Sequence, residues 1–145
     1  MPESNLQASA GLILRLYELR RDPELRLARQ WFARQFRPES AQAILELVLS
    51  GERSSAEYRM VTSYWEMASA LVNRGAIDPI LFREANTEHV AFFSLMEPHL
   101  AEFRTLTGEA DYLAQWEKLV LETAGAPQRL EARRRLFGAW TRQAP

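Results

Sequence analysis

Cysteine is missing from this chain of 145 residues. Thiol nucleophiles, disulfide frameworks, iron–sulfur clusters and cysteine-ligated zinc are excluded together. Histidine is almost missing: His89 and His99 are the only two. They fall on one predicted helix about 15 Å apart along its axis, too far to share one ion. No Glu-x-x-His pair and no His-Glu-x-x-His run occurs, so the sequence points to no metal site. The 6 glycines form no run, which removes phosphate-cradling loops and dinucleotide fingerprints. No Gly-x-Ser-x-Gly elbow is present, and the serines and threonines cluster where helix caps explain them. Lysine is nearly absent as well, Lys118 being the single one. Arginine richness of this kind is given no functional weight.

Long apolar runs are lacking too. Gly11 to Leu19 and Ala41 to Leu49 are each about half the ~20 residues that a spanning helix needs, and they carry Arg15, Glu18 and Glu46. With no leader-like N-terminus, a cytoplasmic protein is expected. Ordinary hydrophobic (47%) and charged (26%) fractions and this length are those of one folded domain over residues 1–145.

What is present is helix punctuation. Ser4 with Gln7, and Ser54 with Glu57, fit capping boxes. Asp22-Pro23 and Asp78-Pro79 put a cap residue before a proline that opens a helix. Gly51, Gly75, Gly108 and Gly125 follow apolar-periodic stretches as helix stops. Apolar residues recur at three and four, with no strand-like alternation. The predicted fold is all-α, a compact bundle of about 7–8 helices joined by short loops. Their expected spans are 4–20, 23–36, 39–50, 55–74, 79–85, 87–106, 109–124 and 127–142. Pro98 must remove a hydrogen bond inside the sixth, and a kink between Ser94 and Pro98 is expected.

The 55–74 helix carries apolar residues round about half its circumference, from Tyr58 to Val72, and is expected at the centre, with Glu66 on its polar side. On the last helix, Leu130, Leu136, Phe137 and Trp140 define an apolar face, with Arg129 and Arg133 among them and Arg134, Arg135 and Arg142 pointing away. Arg129 and Arg133 are expected either to lay their stems on apolar surface or to pair with acids. His89 is expected in the core with one nitrogen satisfied, and His99 at an edge.

Charge is unevenly spread: residues 1–37 sum to +3, residues 38–126 to −8 and residues 127–145 to +4. Basic ends around an acidic middle suit complementary packing within one chain or between chains. Nucleic-acid binding is not expected. The segment from Ala124 through Pro127 into an arginine-bearing helix looks like a helix-turn-helix, but its arginines spread around the helix and the chain as a whole is slightly acidic. Glu97 with Glu102, and Glu109 with Asp111, read as solvated or dipole-matched acids rather than an acid–base pair.

Two stretches, Leu16 to Trp31 and Tyr64 to Phe82, the latter containing Asn73-Arg74-Gly75-Ala76-Ile77-Asp78-Pro79, continue loosely into Tyr112 to Leu119. They resemble a bacterial family of small helical proteins grouped as a domain of unknown function. The resemblance covers most of residues 12–120, implies the helical fold and brings no catalytic residue. It also implies an N-terminal membrane helix in many relatives, from which this chain departs through a shorter first helix bearing Arg15.

No catalytic, cofactor-binding or metal-binding residue is assigned, and no cofactor is expected. The leading reading is a non-enzymatic helical interaction protein, with a homodimer or another protein as partner. The alternative is a small-molecule pocket around Tyr58, Trp65, Phe93 and Trp116. A lesser one is contact with a membrane surface through the first helix, where Leu12, Leu16 and Leu19 lie beside Arg15 and Arg20.

Overall fold

Both proline-led starts form as their residues dictate. The Asp22 carboxylate accepts from the Glu24 and Leu25 amides at 3.1 and 3.2 Å, and that of Asp78 accepts from the Leu81 amide at 2.8 Å. Each cap satisfies amides that the helix itself leaves unbonded. The computed structural model describes residues 3–143 and the side chains of residues 5–141, so the Ser4–Gln7 pair and Arg142 lie outside the described residues. In chain order the helices are α1 (Glu3–Arg20), α2 (Pro23–Gln35), α3 (Ala41–Leu49), α4 (Arg53–Asn73), α5 (Pro79–Ala85), α6 (Glu88–Thr107), α7 (Ala114–Leu121) and α8 (Ala126–Gln143). No strand occurs among the described residues.

α4 takes the central place its wide apolar face predicts, packing on α2, α3, α5 and α7. Trp65, Tyr58 and Val61 are fully buried in one core with Phe32, Phe93 and Trp116. α6 forms the second axis and packs against α3, α7 and α8. α1 stands at the margin against α5 and α2. It leaves Leu14 at 64% and Tyr17 at 52% exposure.

Four local expectations need correction. α4 begins two residues early, with Glu52 at its cap and Ser54 already helical, so the Ser54–Glu57 box does not form. The Ser55 hydroxyl instead donates to the Val48 carbonyl at 2.8 Å, tying α4 back to α3. α7 begins at Ala114 rather than near Glu109, because Leu113 adopts φ +56°. A bulky side chain holds such a conformation only where tertiary contacts over-determine it. Arg104 supplies them with two bonds to the Tyr112 carbonyl at 2.9 and 2.7 Å, while Leu113 itself is buried. The Glu66 carboxylate accepts from the Gln115 and Trp116 amides at 3.3 and 2.8 Å, so a residue assigned to the polar side of α4 caps α7 from a neighbouring helix. Last, α8 buries Leu130 and Phe137, whereas Leu136 and Trp140 stay 58% and 42% exposed.

α6 runs as one helix through Pro98. The ring removes the bond that the Ser94 carbonyl would accept. The Arg134 guanidinium reaches that carbonyl at 3.4 Å while pairing with Glu97 at 2.6 Å. Arg134 was expected to point away, yet it is the arginine that carries the basic end onto the acidic middle.

Glu88, the first residue of α6, ties α1 and α2 to it. Arg29 binds both carboxylate oxygens through Nε at 3.0 and 3.1 Å, and Arg20 reaches one at 3.4 Å. Glu88 is 19% exposed at its side chain, Arg20 14% and Arg29 28%, so these charges are well removed from water. Glu88→Gln is expected to lower unfolding stability by about 1–3 kcal/mol. Glu24→Gln, which breaks the exposed pair with Arg53, should cost less than about 1 kcal/mol. Urea unfolding of the two variants beside the parent checks the ranking.

Candidate functional site

Two clefts flank α8, and both are bordered by arginine. The first is a groove of about 870 Å³ between α2 and α8 over the start of α6. Ala91, Phe92 and Phe137 form its floor, and Leu27, Leu136 and Trp140 stand on its walls. Arg26 and Arg34 of α2 and Arg133 of α8 border it, and none of the three has a carboxylate partner among the described residues. Arg29 also borders it but is held by Glu88. Arg26 and Arg29 continue into a smaller cleft of about 350 Å³ with Tyr17, Arg20 and Arg21. A positive field therefore runs from the α1–α2 corner along the groove.

The two walls of the groove are tied together. Arg37, just after α2, donates to Thr141 Oγ1 of α8 at 2.8 Å and to the Ala33 and Phe36 carbonyls. Its guanidinium lies 4.8 Å from the centre of the Phe137 ring, a cation–π contact joining the two walls. Phe32 stacks on Phe36 at 4.5 Å and meets Phe92 at 4.7 Å beneath the floor.

The second cleft, of about 550 Å³, lies across α8 between α5, the start of α6 and the α7–α8 turn. Arg83, Arg129 and Arg133 line it with Asn86, Thr87 and His89, and Glu84 and Glu122 are its acids. Arg83 donates through Nη2 to the Leu119 carbonyl at 3.1 Å, and Arg129 through Nε to the Ala124 carbonyl at 2.9 Å. Glu122 is paired with Lys118 at 3.6 Å. Thr87 and Arg133 border both clefts.

His89 departs from expectation. It is 1% exposed, as a core histidine should be, yet neither ring nitrogen has a hydrogen-bond partner. Its ring packs against Phe82 and Trp65 at 5.1 and 5.6 Å between centroids. Burial, and then the charges of Arg83 and Arg20, push the imidazole down to about 3. His99 is half-buried near the middle of α6, beside Pro98.

The four aromatics proposed as a pocket are core residues. Tyr58 and Trp65 are 1% exposed, Phe93 and Trp116 0%, and none lines either cleft. Tyr58 bonds the Tyr112 hydroxyl at 2.7 Å, and burial beside that second phenol pushes its own ionisation well above the usual tyrosine range. Trp116 meets Phe93 edge-on at 5.4 Å and donates its indole N–H to the His89 carbonyl at 2.9 Å. Arg129 and Arg133, by contrast, do meet in one cleft, and neither pairs with a carboxylate among the described residues. Sequence reasoning missed Arg26, Leu27 and Arg34, because nothing in α2 alone distinguishes a cleft-lining face from a solvated one.

No group of three or more His, Asp or Glu side chains suited to a metal ion gathers among the described residues, and no described helix is long and apolar enough to cross a membrane. Fold and clefts together define an all-α bundle with two arginine-bordered clefts beside α8. The chain belongs to the DUF4760 family, a domain of unknown function, whose model matches residues 5–123. No curated protein and no solved structure matches it. The family match ends before α8, the helix that supplies one wall of each cleft.

A buried imidazole held neutral carries a linkage cost. The unfolded chain takes up a proton near pH 6.5 and the folded one near about 3, so folding stability falls as pH drops through that window. His89→Phe should remove this part, flattening stability against pH between about 6 and about 4 by up to about 1.4 kcal/mol per pH unit relative to the parent. Parallel curves for parent and variant in denaturant titrations would show that His89 protonates within the fold.

Proposed function

We propose that this protein is a helical interaction module of the cytoplasm that receives an acidic, amphipathic segment of a partner protein in the groove between α2 and α8. The observation that carries the reading is the pairing of exposed apolar side chains with unneutralised arginines on one surface. Leu27, Leu136 and Trp140 are 48%, 58% and 42% exposed, and Arg26, Arg34 and Arg133 stand beside them. Exposed apolar side chains gathered in a groove are the kind of surface that marks an interaction site. An amphipathic segment answers both features, laying its apolar face on Phe92 and Phe137 and its carboxylates on the guanidiniums. The arginine-rich cleft at Tyr17 and Arg21 extends the positive field beyond the apolar floor, which favours an acidic partner over a neutral one. The basic N-terminal and C-terminal stretches noted in the sequence meet along this groove, α2 from one and α8 from the other.

A fluorescent peptide of about 18 residues, with leucines on one helical face and glutamates on the other, tests the reading by anisotropy. Saturable binding is expected, weakening as salt rises from about 50 to about 300 mM. Arg26→Glu with Arg34→Glu should weaken it at least about tenfold, and so should Leu136→Ser; all three residues are exposed, which leaves the core intact. Equal binding of the same peptide with lysine for glutamate, or no binding of either, would overturn the proposal. So would a salt-sensitive dimer in sedimentation that masks the groove, which would make a second copy the occupant. Retention on phosphatidylglycerol vesicles without peptide binding would likewise reassign the surface to a membrane.

A further inference from the structure

The cleft across α8 has a different character from the groove. We infer that it is a binding site for a small organic acid, a carboxylate or phosphate ester on a compact apolar body, held between Arg83, Arg129 and Arg133 at the N-terminus of α6. Three independent features converge on it. Thr87 caps α6 without a side-chain hydrogen bond; the Val90 and Ala91 amides bond its carbonyl at 3.1 and 3.3 Å, while the Glu88 and His89 amides receive no side-chain acceptor of the kind Asp22 and Asp78 provide elsewhere in this chain. A helix start in that state favours an anion. The arginines reach the cleft from different elements, Arg83 from α5 and Arg129 and Arg133 from α8, and Arg83 keeps a buried Nε with no partner. His89, 1% exposed, lines the cleft and has no partner for either ring nitrogen. A buried polar group left unbonded is costly, and a ligand making those bonds removes that cost.

The apolar part of the ligand follows from the remaining lining. Ile80, Val90 and Ala132 provide apolar surface alongside the cations, and Ile80 is 66% exposed without a ligand. About 550 Å³ is within the range of small-molecule sites and exceeds what a bare inorganic anion requires. The lining acids do not cancel the site: Glu122 is engaged by Lys118, and Glu84 is exposed at the edge. Because Arg133 borders both clefts, occupancy here can influence the groove, but the two sites have separate diagnostic residues.

The test is a titration of the full chain with benzoate and with phenyl phosphate, each followed by NMR at the His89 ring and at the Thr87 to Val90 amides. Saturable shifts at these positions are expected for at least one of the two acids. Benzyl alcohol and benzamidinium, the neutral and cationic counterparts, should leave them unmoved. Arg129→Gln, at an exposed position, should weaken binding by about tenfold, the loss of one charge-assisted contact. Arg83→Gln should weaken it further; if that variant does not fold, Arg129→Gln together with the neutral and cationic controls decides. Which acid binds more tightly separates a carboxylate ligand from a phosphate ester. Inorganic phosphate matching phenyl phosphate would overturn the organic-acid assignment, and so would shifts that Arg129→Gln leaves unchanged or the absence of any shift at His89. Arg26→Glu and Leu136→Ser should leave this titration unaltered, so failure of the groove and failure of this site are read separately.

Discussion

Glu88 is the point on which the arrangement of both clefts depends. One carboxylate, on the first residue of α6, holds Arg29 of α2 through both its oxygens and Arg20 of α1 through one. The position suits an acid twice over, since the start of a helix favours negative charge and the two guanidiniums need a shared counter-ion. Holding α2 against α6 sets one wall of the groove, and neutralising Arg29 separates it from Arg26 and Arg34, which lack a carboxylate partner among the described residues. The same turn of α6 carries His89 and Thr87 to the second cleft. A single ion-pair centre therefore orders the residues of two clefts.

α8 completes the arrangement from the other side. Its seat on α6 is built on a defect: Pro98 leaves the Ser94 carbonyl short of a helical bond, and Arg134 supplies a donor there while pairing with Glu97. Arg37 then ties the far end of α8 to α2 through Thr141 and the Phe137 ring. With the helix anchored through Leu130, Phe137, Arg134 and Thr141, its remaining residues are divided between two surfaces. Leu136 and Trp140 face the groove, Arg129 faces the second cleft and Arg133 borders both. The uneven charge of the chain is thus partly consumed inside the fold, by Glu88 and Glu97, and partly left on the clefts.

Much of this fold was legible in the residues. Proline after aspartate, glycine after an apolar stretch, and recurrence at three and four are local signals, and the helices they predict form with small shifts at their ends. The exceptions are instructive because each is a tertiary override. Glu66 looked like a solvated acid on a wheel of α4, but it caps α7 some fifty residues away. The Glu109 to Leu113 segment looked helical by pattern, but Leu113 turns left-handed under contacts from Arg104 on Tyr112 and its own burial. His89 was legible as buried, but not as unbonded, since hydrogen-bond satisfaction depends on what the neighbouring helices offer. Tyr58, Trp65, Phe93 and Trp116 were grouped as a pocket from their residue type and helix face alone; packing buries all four in the core, and none lines either cleft.

By itself, then, the sequence determined the helices, their order, the central role of α4, and the chemistry that is missing: no thiol, no phosphate loop, no histidine pair. These follow from residue types and from spacings within one helix, which act over a few residues. Only the tertiary structure decided which arginines are neutralised and which are free, because that turns on distances between α2, α6 and α8 that no local pattern encodes. Arg134 and Arg133 are neighbours in the chain, yet one is bound to Glu97 and the other borders two clefts. The physical reason is rotational. Adjacent residues on a helix point about 100° apart, so their surroundings are set by which neighbour each side meets.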